Sequence, residues 1–498
     1  MAIQIIHRKN DAGILLLQDL KDIWEKTSHE TLMINNETYY RILIPGQDGL
    51  QLNLNSFSSL QQLKNTAISR SILQYNGIIC DLEKNEIVNR SYEVLLFDTR
   101  ILSIKETNYS KNRNTSTYIT DKGLTRVIEL AQRVVYLLGL DYAQVRIVKT
   151  GGQRLRFMDI DESPLIRSKD RQKLIQCMQD LYKSILSQNW KNIMLGADPE
   201  FMMVNTKSGR MIAASRFFPR EGEVGCDNIR VSGRQQRPVA EIRPQPSTCP
   251  YILHKNIRKA LLKANKMAPY KNIKWLAGSQ PLTGYSIGGH IHFSNVDLNH
   301  TFLRALDSYL GVLVFLIEDR DSAVKRRKRY GYLADVRKKD YGGFEYRTPG
   351  SWLVSEALTR AVLCLAKLIA SDYIKLQRSI FTKPEAFQAF YEGDKDYFRP
   401  YFPLLWHDIQ GASLYKLYQP DLELLREMIE QGWEWDEKID IRKNWGIPIY
   451  TSRVFQENRT PASLVGSRDN QQAGNQVSAW PERSFNRVPT TYSQASQH

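Results

Sequence analysis

Cysteine is scarce in this chain. Five stand among 498 residues, at positions 80, 177, 226, 249 and 364, and none forms a CxxC spacing. An odd, scattered set argues against a disulfide framework or a cysteine-built zinc site and points to reduced thiols in a cytoplasmic protein. Long apolar runs are lacking as well, since none reaches the roughly 18 residues that a membrane span needs. The opening MAIQIIHRKNDAG has neither the apolar core nor the small-residue cleavage site of a signal peptide. The expectation is a cytoplasmic protein with no membrane partner. Acidic residues are outnumbered: 53 Asp and Glu face 69 Lys and Arg, for a net charge of +16. That excess suits an anionic partner, such as nucleotide phosphates or an acidic polymer or protein, and equally serves solubility. No helix-turn-helix or RNA-binding signature accompanies it, which argues against nucleic acid.

What is present is globular in composition, 42% hydrophobic and 24% charged, with length for two or three domains. Residues 1–190 read as a smaller α/β module. SYEVLLFDTRIL (91–102) is strand material, and GLTRVIELAQRVVYLLGL (123–140) has helical spacing. AQVRIVKT (143–150) and RLRFMDID (154–161) flank Gly151-Gly152 as a hairpin. A helix over 167–188 leads into a second module, 191–450. There short strands are interrupted by helical stretches at 250–267, 301–319 and 355–373, and aromatic helical text follows. Residues 453–498 are rich in Asn, Gln, Ser, Arg and Pro and read as a disordered polar tail.

Four stretches of the second module share one pattern: GADPEFMMV (196–204), VAEIRPQP (239–246), GGHIHFS (288–294) and GFEYRTPG (343–350). Each holds two functional side chains one residue apart: Asp198 and Glu200, Glu241 and Arg243, His290 and His292, Glu345 and Arg347. In a strand, residues i and i+2 share a face, about 6.5–7 Å apart. If Phe201, Ala240, Ile242, Ile291, Phe293, Phe344 and Tyr346 bury the other face, all eight polar groups gather on one sheet surface. Four carboxylates there repel unless cations neutralise them, and two guanidiniums suit phosphate. Carboxylate oxygens favour magnesium, and an adjacent imidazole also admits manganese. Taken singly, each pair has a plainer reading. Asp198 before Pro199 suits a turn or strand start, Glu–Arg pairs suit an exposed strand, and either His suits a core. Asp227, Asn228 and Arg230, in GCDNIRVSG (225–233), read as substrate contacts or a polar turn. The basic run KRRKRYGYLADVRKK (325–339) reads as a lid over phosphates, or as a solvated loop.

The order DPEF, EIRP, GGHIHFS and FEYRTPGSWL resembles the phage- and bacillus-type amidoligases. These are carboxylate–amine ligases of the glutamine synthetase and glutamate–cysteine ligase superfamily, and the resemblance covers roughly 193–375. It implies an α+β fold with a curved antiparallel sheet, a glutamine synthetase-like catalytic core flanked by helices, preceded by the smaller α/β module. It also implies ATP and Mg²⁺ (or Mn²⁺) as cofactors, with a carboxylate and an amine joined through an acyl phosphate. Glu200, Glu241 and Glu345 match metal-binding glutamates, with Asp198 beside them. One or both of His290 and His292 match the metal or nucleotide-phosphate histidine. Arg347 matches a phosphate-contacting arginine, and Arg243 a grip on phosphate or the substrate carboxylate. Glu345, Arg347 and Arg243 are the expected catalytic set, with Arg320 as a further phosphate candidate. A second, shorter likeness, LGLDYAQVRIVKTGGQRLRFMDIDESP, resembles the end of an ATP-grasp domain. Asp159 and Asp161 stand at its metal positions, its Asn is missing, and no glycine-rich phosphate loop lies upstream. Guanidino phosphotransfer, metal-dependent hydrolysis and a non-catalytic scaffold remain as alternatives.

Overall fold

Every strand of the site region is short, and the backbone of a computed structural model shows how they combine; it describes residues 1–46, 49–84, 86–110, 114–230, 235–450 and 453–456. The tail expected from 453 on lies, beyond 456, outside the described residues. The chain is a mixed α/β fold with a curled antiparallel layer.

The N-terminal part holds two sheets. In the first, Ser28–Ile34, Glu37–Ile44, Ala2–Arg8 and Gln51–Leu54 lie side by side in that order, the last two parallel. The helix Asp11–Ile23 follows the first strand and is capped by Asn10, whose side chain accepts from the Gly13 amide at 2.9 Å. The second sheet is antiparallel throughout: Thr115–Ile119, Arg100–Asn108, Val88–Phe97, Tyr142–Thr150, Leu155–Asp161. The apolar run 91–102 thus breaks into two strands at Asp98-Thr99, where Asp98 takes φ 54°. The helix Thr125–Leu137 and the hairpin around Gly151-Gly152 form as their periodicities require. Asp159 and Asp161, the ATP-grasp-like acids, serve local needs. Asp159 is exposed beside Arg146 at 3.6 Å, and Asp161 accepts from the Ser163 amide at 3.0 Å.

The strands of the second half form two further sheets, not the single surface that alternation suggested. One runs Met194–Ala197, Ile291–Ser294, Phe344–Tyr346, Val336–Lys338. The other runs Met211–Ile212, Glu200–Asn205, Val239–Ile242, Val224–Cys226, with Ile273–Leu276 also on Glu200–Asn205. Asp198-Pro199 is the seam. Pro199 has no amide to donate, so the strand entering from Met194 changes partners there. Pairing continues across the seam, because the Asp198 amide reaches His290 O at 3.3 Å and the Glu200 amide reaches Gly288 O at 3.0 Å. The layer curls at this point. Phe201, Ala240, Ile242, Ile291, Phe293, Phe344 and Tyr346 are all buried, as the alternation required.

Helices pack beneath. Glu356–Asp372, capped by Ser355, is buried along most of its length between Pro250–Met267 and Tyr415–Glu430. Its Lys367 is compensated by the carbonyls of Trp190 at 2.7 Å and Ile193 at 2.6 Å. Contrary to the expectation that no stretch is long enough, the segment His300–Ile317 is long and apolar enough to cross a membrane by length and composition alone, although Arg304 and Asp307 interrupt it, and 89% of it is buried inside the protein. It carries a π-helical turn, Leu306–Gly311, which turns Asp307 toward Tyr136 of the N-terminal part at 2.7 Å. Arg304–Asp141 at 2.8 Å and Tyr391–Asn76 at 2.6 Å join the same two halves, over one continuous apolar core.

Candidate active site

Register decides which side chains meet. His292 lies directly opposite Gly196 on one side and Glu345 on the other, and Glu345 lies opposite Arg337. Glu200 lies directly opposite Glu241. A like-charge cross-strand pair destabilises a sheet unless a cation or a proton intervenes. Gly196 leaves room for the imidazole: a Cβ there would stand 3.3 Å from that of His292. Gly288 likewise leaves room for the His290 ring.

The curl brings the predicted pairs together. Asp198, Glu200, Glu241, His290 and Glu345 are all buried, and His292 is partly so. His290 Nδ1 lies 3.2 Å from both Asp198 Oδ1 and Glu345 Oε1. His292 Nε2 lies 3.0 Å from Asp198 Oδ2. One donor atom each from Asp198, His292 and Glu345 falls within 4.8 Å of the others. Arg347 Nε reaches Glu345 Oε1 at 3.1 Å, and its NH1 reaches Asp335 at 3.4 Å. Lys339 also pairs with Glu345, with Arg337 at 3.5 Å. Arg243 pairs with Glu241 and with the carbonyls of Gly222 at 3.3 Å and Cys226 at 3.2 Å. Glu200 Oε2 accepts from the Gly288 amide at 2.7 Å.

The charges divide into two groups. Burial opposes ionisation of Asp198, but the imidazoles of His290 and His292 outweigh it and hold the carboxyl well below its usual range. Burial and Asp198 also oppose ionisation of Glu345, yet His290, Lys339 and Arg337 keep it low. Glu200 is pushed well above the ordinary carboxyl value by burial, then by Asp227 and Glu241. Glu241 is pushed up to about 8 by burial and Asp198, against the pull of Arg243. The site therefore holds two acids that ionise readily beside two held toward their protonated form.

The set fits a divalent ion. Asp198 Oδ1 and His292 Nε2 are buried with no aligned hydrogen-bond partner among the described residues, despite the neighbours just named. Oxygen donors with one or two imidazoles suit Mg²⁺ or Mn²⁺.

Residues 195–447, just over half of the chain, match the family described as phage phiEco32-like COOH.NH2 ligase-type 2. The chain belongs to that family. The family's description is that of carboxylate–amine ligases. Among solved structures the ligase is similar to a bifunctional glutathione synthetase from Pasteurella multocida, with 10% identity and a TM-score of 0.33 over 54% of this chain and 53% of that one. The ligase therefore spans about half of that protein's length. No curated protein matches it.

Some sequence expectations land elsewhere. Arg320 is exposed at the start of the helix Arg320–Arg327 and lies along Gly393; no contact among the described residues joins it to the ligase's acidic group. The basic run is not one loop. Arg326 and Arg327 are buried, Arg326 donating to Thr348 O at 2.6 Å and Arg347 O at 2.9 Å, and Arg327 pairing with Glu318. Its far end, Arg337 and Lys339, does reach the site. Asp227 raises both Glu200 and Glu241, so its turn faces the cluster. Neither Asp335 nor Tyr341 carries a motif. Tyr341, in the glycine turn before Phe344, lies 3.2 Å from His292 Nδ1 through its hydroxyl.

Proposed function

We propose that this ligase couples ATP cleavage to amide formation, using Mg²⁺ or Mn²⁺ on a glutamine synthetase-like core spanning 191–450. The convergence of Asp198, Glu200, Glu241, Glu345, His290 and His292 with Arg243 and Arg347 carries this reading. A substrate carboxylate oxygen attacks the γ-phosphorus of ATP, the bond to ADP breaks, and an acyl phosphate forms. The amine then attacks the acyl carbon, loses a proton, and phosphate departs. A divalent cation, when bound, neutralises phosphate oxygens and lowers the cost of charge developing on them. Asp198, His292 and Glu345, with Glu200, Glu241 and His290 around them, are the side chains that hold it. Arg347 and Arg243 meet anionic oxygens of phosphate or substrate. Lys339 and Arg337 border the same pocket of charge and screen Glu345 from its acidic neighbours. No protein nucleophile is required, so positioning and charge compensation supply the catalysis.

Residues 1–190 form a docking module in this reading. The excess of basic residues supports an acidic peptide or polymer as one substrate. The five free thiols support a cytoplasmic location. Mass spectrometry of candidate acids and amines incubated with enzyme, ATP and Mg²⁺ tests the proposal. The expected product is lighter than the summed reactants by one water, with ADP and phosphate released. A phosphorylated substrate without an amide would overturn it in favour of phosphotransfer.

A further inference from the structure

We infer that Tyr341 is a positioning residue that fixes the tautomer of His292, so that Nε2 carries the lone pair offered to the cation. The inference rests on the metal-binding reading above and assigns which imidazole, and which of its nitrogens, does the binding.

The two histidines of GGHIHFS are oriented differently. His290 turns Nδ1 between two carboxylates, 3.2 Å from each, while its other nitrogen packs on Gly288. His292 turns Nε2 toward Asp198 at 3.0 Å and Nδ1 toward the Tyr341 hydroxyl at 3.2 Å. Nε2 is buried without an aligned hydrogen-bond partner among the described residues. His292 Nε2 and Asp198, 3.0 Å apart and outside hydrogen-bond alignment, lie with Glu345 close enough to share one cation. A metal-binding imidazole needs its other nitrogen to keep the proton, and an oxygen acceptor there holds both tautomer and ring orientation. The Tyr341 oxygen is that acceptor.

The turn that presents Tyr341 is built for it. The Lys339 amide bonds Gly343 O at 2.9 Å, and Gly342 takes φ 86°. A Cβ on Gly343 would come within 2.5 Å of Phe293 O and 2.6 Å of Ser294 Oγ. The turn therefore lies flush on the strand Ile291–Ser294, which carries His292. Tyr341 is 62% exposed, far more than packing would require, and its hydroxyl meets His292 on the solvent-facing side of the site.

The test uses the full chain and Mn²⁺ alone, with binding read by electron paramagnetic resonance for the wild type and Tyr341→Phe. The phenylalanine ring keeps the turn, so the melting temperature stays put while Mn²⁺ affinity falls by about 10–100-fold. Nitrogen-15 shifts of the histidine rings in the metal-free wild type supply a second reading, with His292 expected protonated at Nδ1. Equal Mn²⁺ affinity in both proteins, or a proton on His292 Nε2 in the wild type, would overturn the assignment to Tyr341. Absence of Mn²⁺ binding by either protein would overturn the metal-site reading itself, and this assignment with it.

Discussion

Asp307 and Glu437 are buried as deeply as Glu200 and Glu241, at 1% and 7% exposure against 6% and 8%. Their surroundings differ. Asp307 accepts from the hydroxyls of Tyr136 at 2.7 Å and Tyr346 at 2.8 Å and from the Ala334 amide at 2.9 Å. Glu437 accepts from the amides of Ser279 and Gln280, the Ser322 hydroxyl and the Trp435 indole. Burial pushes both up to about 7, and neutral donors satisfy them. Glu200 and Glu241 instead face each other and Asp227. A buried acid ringed by neutral donors braces a fold, whereas buried acids pressed together carry a repulsion that, on the proposed function, a cation would relieve.

The largest effect that tests this contrast is on turnover. Glu345→Gln is expected to lower the ligation rate by on the order of 10²–10³-fold while the protein still folds, as circular dichroism would verify. Turnover at the wild-type rate would remove Glu345 from the site. Next, Asp307→Ala leaves two buried hydroxyls and an amide unpaired, and urea unfolding should show a loss of roughly 2–5 kcal/mol. A cost below about 0.5 kcal/mol would mean that Asp307 is not a brace.

Smaller still is the effect of the cation itself. At 100 times its dissociation constant, Mg²⁺ should stabilise the wild type by about 2.7 kcal/mol. Glu200→Gln should lose most of that gain without losing stability in its absence. Equal Mg²⁺ stabilisation of both proteins would contradict the division drawn here.

Stability should also follow pH. Glu241 near 8, with Asp307 and Glu437 near 7, all lie above the ordinary carboxyl value, so the folded state keeps protons that the unfolded chain releases. Their contribution is full below the unfolded value and is lost as pH rises through the folded ones. Asp198 and Glu345 run the other way: their contribution is present above the ordinary value and lost as pH falls below it. The urea midpoint of cation-free protein should therefore fall from about pH 5.5 to about pH 8.5, with Mg²⁺ removing only the part due to the site. A midpoint that rises over that window would refute the assignment. The smallest effect belongs to Arg320→Ala, an exposed change expected to shift stability and ATP affinity by less than about 0.5 kcal/mol.

Much of the site was legible because strand alternation is local. The spacing of Asp198 and Glu200, or of His290 and His292, fixes a shared side before any tertiary contact forms. Helices such as Pro250–Met267 and Thr125–Leu137 were legible for the same reason. The seam at Pro199 was only half legible. Proline announces a strand start, but not that one strand will serve two sheets. Arg326 and Arg327 were misjudged because a basic run looks solvated unless its partners are known. The carbonyls that hold Arg326, those of Arg347 and Thr348, lie about twenty residues away, and Arg327 is held by the Glu318 carboxylate. Asp227 and Tyr341 reach the site through turns, whose geometry depends on what they fold against.

The most direct measurement is a calorimetric titration of Mn²⁺ into the full chain near neutral pH, repeated in two buffers of different ionisation enthalpy. The account expects saturable uptake with net proton release, because Glu241 holds its proton up to about 8 until a cation arrives, and loss of that uptake in Glu345→Gln. No uptake with or without ATP, or uptake indifferent to Glu345→Gln, would contradict it.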